Sequence, residues 1–470
     1  MHKHWKAVAR LALPAATGLA AYAGWRARAR GRKQAPHAAA GQNVVVLGAG
    51  FAGIHVAQEL ARLLPPGGDG QITLVDQNDF LLFTPMLTEA AGGQVDTRHI
   101  VDPIRCLAPR IAFEQGRVET VDLKRRQVTL SVGSQSDGMP QARRTLDAGH
   151  LVVALGSVTN FHNLPGVQEH SLAVKTVADA AAIRSRVSAI LERAAAEPDA
   201  GTRRALLTVV VAGGGYSGVE TMAAVNDLLR DSLQDYPALS ADLVQTILIE
   251  PGDRLLPELN KGLADYAGKK LEQRGVRIRL KTEITGASAG SVEIKDEGKL
   301  PASTLIWAAG VKPSPVVEAL DVKRGHHGGI VVDGCCSVPD HPGVWALGDC
   351  AEIPQPGGKG TYAPTAQNAM REGTLVAKNI AAALRGKAAR PFVYTPVGEL
   401  ALVGRRSGVA RVYGFHFSGL FAWMMWRGIY LAKMPGWGKR ARILTDWTLD
   451  AVFGRDSGDL LGVRSDARDA

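Results

Sequence analysis

Two short apolar runs organise the hydrophobic pattern of this chain, at residues 43–47 (NVVVL) and 208–212 (TVVVA). Each run is followed by a cluster of glycines and then by a stretch of helical periodicity. Apolar runs of this length are typical of strands that are buried on both faces of a parallel sheet. A further apolar strand pattern follows each helix, at 71–75 (QITLV) and 243–249. The pattern therefore predicts an α/β fold in which one strand–turn–helix–strand plan occurs twice.

The glycine clusters lie at 48–53 (GAGFAG) and 213–218 (GGGYSG), and both have the spacing G-x-G-x-x-G. The first glycine of this motif turns the chain, the second lets the backbone approach a pyrophosphate, and the third allows close helix–strand contact. The helix that follows offers free N–H groups to the phosphates. Two such motifs in the same context predict two Rossmann-like domains that hold two dinucleotides. The predicted contact residues are Gly48, Gly50, Phe51, Ala52 and Gly53 in the first motif, and Gly213, Gly215 and Gly218 in the second.

An acidic residue ends the strand after each motif, Asp76 in the first unit and Glu250 in the second. A carboxylate at this position accepts a hydrogen bond from the adenosine ribose. It also repels a 2′-phosphate, so Glu250 predicts a preference for a dinucleotide that lacks this group.

The 470-residue chain has a formal net charge of +10, and the positive charge is concentrated at its two ends. Residues 1–40 contain eight Lys or Arg and no acid, and residues 385–470 contain fourteen Lys or Arg against seven Asp or Glu. Basic ends around a slightly acidic middle argue against nucleic-acid binding and favour an anionic membrane surface, although two solvated tails have the same charge.

The four cysteines lack the spacing of metal ligands, so we expect no metal site and no disulfide framework. Adjacent Cys335 and Cys336 are typical of a strand, with one side chain on each face.

Residues 7–25 are apolar apart from Arg10 and approach the length of a membrane-spanning helix. More positive charge follows this segment than precedes it, which would keep the rest of the chain in the cytoplasm. A removed targeting peptide and an Ala-rich extension are the alternatives.

The C-terminal region is rich in aromatic and basic residues, and residues 417–434 are apolar apart from Arg427 and Lys433. This pattern predicts a helix that lies in the membrane surface with its tryptophans in the membrane face. Asp446 and Asp450 on the next helix argue against a spanning segment. A dimer interface has a similar composition and remains an alternative. The tryptophans concerned are Trp423, Trp426, Trp437 and Trp447.

Further segments resemble the two-dinucleotide-binding-domain flavoproteins and, within them, the type II NADH:quinone oxidoreductases. The resemblance covers roughly residues 42–457. It rests on 80–93 (FLLFTPMLTEAAGG), 153–157 (VALGS), 213–220 (GGGYSGVE), 307–311 (WAAGV), 346–351 (ALGDCA), 361–373 (TYAPTAQNAMREG) and the region 394–455.

The resemblance implies a flavin domain interrupted by an NADH domain and followed by a membrane-binding region. The expected boundaries are 1–40 for an N-terminal segment, 41–160 and 311–392 for the FAD-binding domain, 161–310 for the NADH-binding domain, and 393–470 for the C-terminal region. It further implies a homodimer on the cytoplasmic face of the inner membrane that reduces a membrane quinone without pumping protons.

The resemblance also assigns roles to single residues. Glu220 would lie near the nicotinamide and the flavin, although a glutamate early in a helix also simply favours its N-terminal turn. Gln367 would hydrogen-bond the quinone. The remaining cofactor contacts would be Pro85, Gly156, Gly310, Gly348, Asp349 and Ala366.

Arg371 departs from the family pattern, which commonly has a second glutamine at this position. Arginine is always charged and only donates hydrogen bonds. It would either bind a quinone carbonyl or pair with Glu372.

Three other functions remain open from the sequence. A sulfide:quinone reductase shares the fold but needs reactive cysteines beside the flavin. A soluble reductase of an electron carrier would not need the aromatic C-terminal region. A flavoprotein that senses NADH would bind the nucleotide without turning over quinone.

Overall fold

The computed structural model describes residues 43–64, 72–132, 142–358 and 360–455. The apolar segment predicted at 7–25 lies outside these residues.

The strands lie as follows: β1 (Val44–Leu47), β2 (Ile72–Asp76), β3 (Phe80–Leu82), β4 (Val101–Pro103), β5 (Ala112–Asp122), β6 (Gln127–Val132), β7 (Ala142–Asp147), β8 (His150–Val153), β9 (Ser157–Thr159), β10 (Ser171–Ala173), β11 (Thr208–Ala212), β12 (Gln245–Glu250), β13 (Val276–Leu280), β14 (Ile284–Ser288), β15 (Ser291–Ile294), β16 (Gly298–Pro301), β17 (Thr304–Trp307), β18 (Val311–Pro313), β19 (Ile330–Val331), β20 (Val344–Ala346), β21 (Ala351–Glu352), β22 (Gly398–Leu402), β23 (Gly408–Val412) and β24 (Phe415–Ser418).

The helices are α1 (Phe51–Leu63), α2 (Leu87–Ala91), α3 (Ile104–Leu107), α4 (Val167–His170), α5 (Val177–Ala196), α6 (Ala200–Leu206), α7 (Tyr216–Ser232), α8 (Lys261–Gln273), α9 (Pro315–Glu318), α10 (Ala366–Ala383), α11 (Gly419–Lys433) and α12 (Trp437–Phe453).

The first sheet has the strand order β20-β8-β1-β2-β5-β6-β7. Strand β1 is an inner strand that pairs in parallel with β2 and β8. The long strand β5 pairs in parallel with β2 through its first half and antiparallel with β6 through its second half. Because β20 pairs with β8, the chain returns to this sheet after building the second one.

The second sheet has the order β10-β17-β11-β12-β13, and all of its pairings are parallel. Every residue of β11 is buried, as the apolar run at 208–212 predicts. The antiparallel strands β14, β15 and β16 form a small separate sheet beside it.

The C-terminal region forms an antiparallel sheet of β22, β23 and β24, followed by α11 and α12. It packs into the same hydrophobic core as α7, where Trp426 and Ile443 meet Val219 and Met222. Among the helices of the described residues, none is both long enough and apolar enough to cross a bilayer.

Candidate functional site

The first glycine motif joins β1 to α1 in the geometry that the sequence predicts. Gly48 has φ +95°, and its amide donates to the Val75 carbonyl at 2.8 Å. A Cβ at Gly53 would lie 1.8 Å from the Gly48 oxygen, so only glycine allows this helix–strand contact. A Cβ at Gly50 would meet no atom within 4 Å, which places the second glycine on the open side of the turn.

The second motif repeats this geometry between β11 and α7. Gly213 has φ +108°, a Cβ at Gly218 would lie 1.8 Å from the Gly213 oxygen, and Gly215 again faces open space. The N-cap residues Gly50 and Gly215 have no side chain to cap α1 and α7, so the first N–H groups of both helices are available to a ligand. Both turns therefore fit a pyrophosphate.

Asp76 fixes the first motif from the end of β2. Its Oδ2 accepts the Ala49 amide at 2.7 Å and its Oδ1 accepts the Asn78 amide at 2.8 Å. Burial raises the pKa of Asp76. Because each carboxylate oxygen has two lone pairs, Asp76 can hold the turn and still accept a ribose hydroxyl.

Glu250 does the same in the second unit. Its Oε2 accepts the Gly214 amide at 2.6 Å and its Oε1 accepts the Gly252 amide at 2.7 Å. The two units thus share one arrangement. In each, the acid that would bind the ribose also accepts the amide of the residue between the first two glycines.

A cleft of about 680 Å³ opens beside the second motif, within the size range of small-molecule sites. Glu250 lies at one side of it, and Gly310, with φ +116°, follows β17 on another. Its lining includes Gly213, Gly215, Tyr216, Glu250, Trp307 and Gly310. The position, lining and volume fit a nicotinamide dinucleotide.

The Gly-Asp turn, Gly348–Asp349, packs against the N-terminal end of α1. A Cβ at Gly348 would lie 3.1 Å from the Cβ of Ala52, and the Gly348 amide donates to Glu372 Oε2 at 2.9 Å. Burial raises the pKa of Glu372 to about 7. Asp349 does not cap a helix; its Oδ2 accepts the hydroxyl of Ser157 at 2.6 Å.

The loop that contains Pro85 also reaches the first motif. Pro85 lies in a single 3-10 turn, Thr84–Met86, and the preceding Phe83 ring packs edge-on against Phe51 at 5.8 Å between centroids. Gly156, with φ +63°, faces open space after β8. The structure therefore brings the residues predicted for the flavin site to one end of the first sheet.

Glu220 connects the second motif to the C-terminal region. Its Oε1 accepts the Leu402 amide at 2.9 Å and the Trp426 indole N–H at 3.1 Å. Burial raises the pKa of Glu220 to about 8, so this carboxyl is protonated at neutral pH. Glu220 therefore does more than favour the N-terminal turn of α7, because it also binds groups of the C-terminal region.

Glu89, which the sequence analysis did not single out, is the second buried acid of this region. It is 1% exposed, and it accepts from Arg427 at 3.3 Å and from the Trp447 indole at 3.2 Å. The Arg427 guanidinium lies 4.1 Å from the Trp423 ring and 4.4 Å from the Trp447 ring. The sequence does contain one indication of Glu89, because it is the single charged residue in the apolar segment 80–93.

The prediction that the C-terminal tryptophans face a membrane is wrong for Trp426 and Trp447, which are buried with their indole N–H groups bonded to buried carboxylates. Trp423 is half-buried and stacks on Arg427. Trp437 alone of these four is exposed, at 73%.

The residues predicted for the quinone site lie at the start of α10. Ala366 is its first residue, and the Thr365 hydroxyl caps the helix. Gln367 Oε1 accepts the Tyr394 hydroxyl and the Val397 amide, the latter at 3.2 Å.

Arg371 lies one turn further along α10, with its guanidinium 4.1 Å from the Tyr394 ring. The alternative that Arg371 pairs with Glu372 is wrong, because Glu372 binds the Gly348 amide while the Arg371 guanidinium lies on the Tyr394 ring.

Burial raises the pKa of the Cys335, Cys336 and Cys350 thiols, whereas Cys106 is exposed. Cys350 is fully buried, and burial raises the pKa of its thiol to about 12. Cys335 and Cys336 lie in a turn rather than on a strand, which corrects the expectation of opposite faces; Cys336 has φ +66° there.

Residues 42–373 match the pyridine nucleotide-disulphide oxidoreductase family, and residues 397–456 match the NDH2 C-terminal domain. The mitochondrial external alternative NADH-ubiquinone oxidoreductase of Yarrowia lipolytica is 28% identical, over 96% of this chain and 87% of its own. The type II NADH:quinone oxidoreductase NdhA of Mycobacterium tuberculosis is 28% identical, over 90% of each chain.

The fold is similar to that of NDH2 from Plasmodium falciparum, solved in complex with NADH. The TM-score is 0.80 at 19% identity, covering 89% of this chain and all of that one. The sulfide:quinone oxidoreductase of Aquifex aeolicus has a TM-score of 0.65 at 18% identity, covering 88% of this chain and 96% of that one. The predicted fold class is confirmed.

Proposed function

This chain belongs to the pyridine nucleotide-disulphide oxidoreductase family and carries an NDH2 C-terminal domain, and we propose that it is an FAD-dependent NADH:quinone oxidoreductase. NADH binds beside the second motif, and the quinone binds near the start of α10. FAD, which the first motif, Asp76 and the Gly348–Asp349 turn would hold, would supply the hydride acceptor and the two-electron donor of this reaction. The protein binds and orients the nucleotides and the quinone, and its charged groups set the electrostatic environment of the reaction.

The proposal rests on two buried acids, Glu89 and Glu220. At these acids the segment 80–93, the helix of the second motif and the C-terminal domain contact one another. Glu89 belongs to the segment 80–93 and is bonded by Arg427 of α11 and Trp447 of α12, whereas Glu220 follows the second motif and is bonded by Trp426 of α11. The C-terminal domain therefore covers the junction of the two nucleotide sites, as expected of a domain that receives the electron acceptor. A protonated Glu220 there can donate a proton as the acceptor is reduced.

The residues of each nucleotide site act through binding and orientation. Gly50 and Gly215 leave room for the phosphates at the starts of α1 and α7. Asp76 and Glu250 orient the two riboses, and Glu250 disfavours NADPH. Gln367 has its side-chain oxygen occupied by Tyr394, so it offers an N–H donor to a quinone carbonyl.

Anaerobic stopped-flow spectroscopy on the FAD-loaded protein tests the proposal. NADH should bleach the flavin absorbance, and a soluble quinone analogue added afterwards should restore it. Without bleaching the protein is not an NADH oxidoreductase; bleaching without reoxidation by any quinone would favour the NADH sensor instead.

A sulfide:quinone reductase function is disfavoured because the thiol nearest the predicted flavin site is buried. Cys350, the cysteine of the Gly-Asp turn, is buried and bonded to backbone carbonyls, with a raised pKa that suppresses its thiolate. Sulfide added in place of NADH should leave the flavin oxidised.

We further propose that the C-terminal region attaches the protein to a membrane surface and, from the family resemblance, that it does so as a homodimer on the cytoplasmic face of the inner membrane. Exposed apolar side chains of α11 and α12 occur together with the basic residues Lys433, Lys439, Arg440 and Arg442, which suits an anionic lipid surface. The exposed apolar side chains include Leu420, Phe421, Met424, Trp437, Leu444, Val452 and Phe453.

Flotation with anionic and neutral vesicles tests the membrane contact, and light scattering tests the dimer. Binding that strengthens with anionic lipid supports the attachment. A protein that stays unbound with both vesicle types would contradict it and would support the soluble reductase.

A further inference from the structure

Lys175 is a cation of the second unit whose side chain reaches the predicted flavin site. It follows β10, an edge strand of the second sheet, whereas Asp349 follows β20 of the first sheet. The Lys175 ammonium donates to the Ser157 hydroxyl at 2.7 Å and lies 3.4 Å from Asp349 Oδ2. These three side chains therefore form a polar contact between the two units.

The chemistry of the three groups fixes the direction of each hydrogen bond in this contact. Lysine only donates and an ionised carboxylate only accepts, so the Ser157 hydroxyl accepts from Lys175 and donates its single proton to Asp349 at 2.6 Å. Oδ2 of Asp349 thus receives two donors, which match its two lone pairs. A further donor, such as a ribityl hydroxyl of FAD, would then bind the other oxygen, Oδ1.

The backbone of Lys175 is held in place by the start of α5. Its amide donates to Asp179 Oδ2 at 2.9 Å, and the same carboxylate forms the capping box of this helix with Thr176. The side chains of Lys175 and Asp349 are 30% and 25% exposed, and an ion pair so accessible to water adds little to stability. The contact therefore suits a role in orienting Asp349 better than a role in stabilising the fold.

The contact also lies at the border of the cleft beside the second motif. Val174, the residue before Lys175, lines that cleft, and so does Thr159, which is on the same strand as Ser157. One short contact thus joins the unit that would bind NADH to an acid that is predicted to bind the flavin.

Resting on the FAD-dependent function proposed above, we infer that Lys175 is a positioning residue of the flavin site. Through Ser157 and through Oδ2 it orients Asp349, so that Oδ1 is the oxygen presented to FAD. Without the ammonium group, Asp349 keeps only the Ser157 donor on Oδ2 and can rotate away from the flavin. The affinity for FAD then depends on a residue of the second unit, although the first unit holds the cofactor.

The test measures the Kd of FAD from the flavin that is released when the oxidised holoenzyme is diluted, which requires no turnover. Lys175→Met removes the ammonium group and keeps the length of the side chain. We expect it to raise the Kd about tenfold, the lower end of what one charge-assisted hydrogen bond contributes. Lys175→Arg keeps the charge and the donors, so it should recover most of this loss.

Lys312→Met is the matched control. Lys312 lies on β18, the strand that pairs with β9, but its ammonium group pairs with Glu318 at 3.1 Å. This variant should keep the wild-type Kd of FAD. Equal Kd values for Lys175→Met and the wild type, or the same loss in Lys175→Met and Lys312→Met, would overturn the inference.

A double-mutant cycle distinguishes orientation of Asp349 from a general structural role of Lys175. Asp349→Ala removes the group that Lys175 would orient. In that background, Lys175→Met should change the Kd of FAD by less than about twofold, because the two residues act through one contact. Effects that multiply in the double variant would show that Lys175 does not act through Asp349.

Flavin reduction by NADH separates this inference from the function on which it rests. If NADH bleaches the flavin while Lys175→Met binds FAD as tightly as the wild type, the reductase proposal stands and the inference fails. If the Kd values are as expected but NADH leaves the flavin oxidised, the positioning role stands and the reductase proposal fails.

Discussion

Replacing Glu250 by glutamine tests the assignment of the second cleft to NADH. Both carboxylate oxygens accept backbone N–H groups, from Gly214 at 2.6 Å and from Gly252 at 2.7 Å. Because glutamine has one oxygen, Glu250→Gln turns an NH₂ group toward one of these donors. The loss of one charge-assisted hydrogen bond, about 1.5–3 kcal/mol, sets an upper limit of about a hundredfold on the loss of NADH affinity.

The same substitution removes the charge that repels a 2′-phosphate, so NADPH should lose less affinity than NADH. The assay is the rate of flavin reduction against the concentration of each nucleotide. The matched control is Asp76→Asn, which makes the same change in the first unit. Glu250→Gln should keep its FAD and lose selectivity for NADH; Asp76→Asn should bind FAD more weakly and, when assayed with excess FAD, keep that selectivity. Loss of FAD from Glu250→Gln, or an unchanged nucleotide preference, would refute the assignment.

Three further predictions concern stability. Gly218→Ala places a Cβ 1.8 Å from the Gly213 oxygen and should destabilise the fold by about 1–3 kcal/mol; an unchanged midpoint in thermal unfolding would contradict it. Burial raises the pKa of Glu220 from 4.5 to about 8, so the folded state holds a proton that the unfolded state has lost. The free energy of unfolding should therefore fall as pH rises from about 5 to 8, and urea titrations should show a flatter dependence for Glu220→Gln. Arg455→Met removes the buried cation shared by Asp227, Asp231 and Asp450 and should cost about 3–5 kcal/mol in urea unfolding; a cost below about 1 kcal/mol would show that Arg274 and Arg405 neutralise these carboxylates.

The sequence predicts the nucleotide motifs well because their geometry is local. The residues from Gly48 to Gly53 fix their own turn through backbone conformation and short contacts, and the acid that ends the next strand completes the turn. The return of β20 to the first sheet is not local, and the resemblance in the Gly348–Asp349 turn is what predicts it.

The C-terminal contacts could not be predicted in the same way. Amphipathic composition identifies a surface helix, but it does not show which aromatic rings turn inward. Trp447 is buried against Glu89, its hydrogen-bond partner. Because Glu89 lies 358 residues away in sequence, no local pattern indicates this contact. A lone acid in one apolar segment and a lone arginine in another, Glu89 and Arg427, form a pair that only the assembled fold identifies.

The cover that α11 and α12 form over Glu89 and Glu220 ties the protonation of these two acids to the C-terminal region. Cutting the chain after residue 392 would open both carboxyls to water and return their pKa values toward those of free glutamate. Such a fragment would retain both nucleotide motifs and lose the proton held at neutral pH. Under the proposed function, proteolysis at this point would remove the proton donor at Glu220, so loss of the C-terminal region would lower quinone reduction even where both nucleotides still bind.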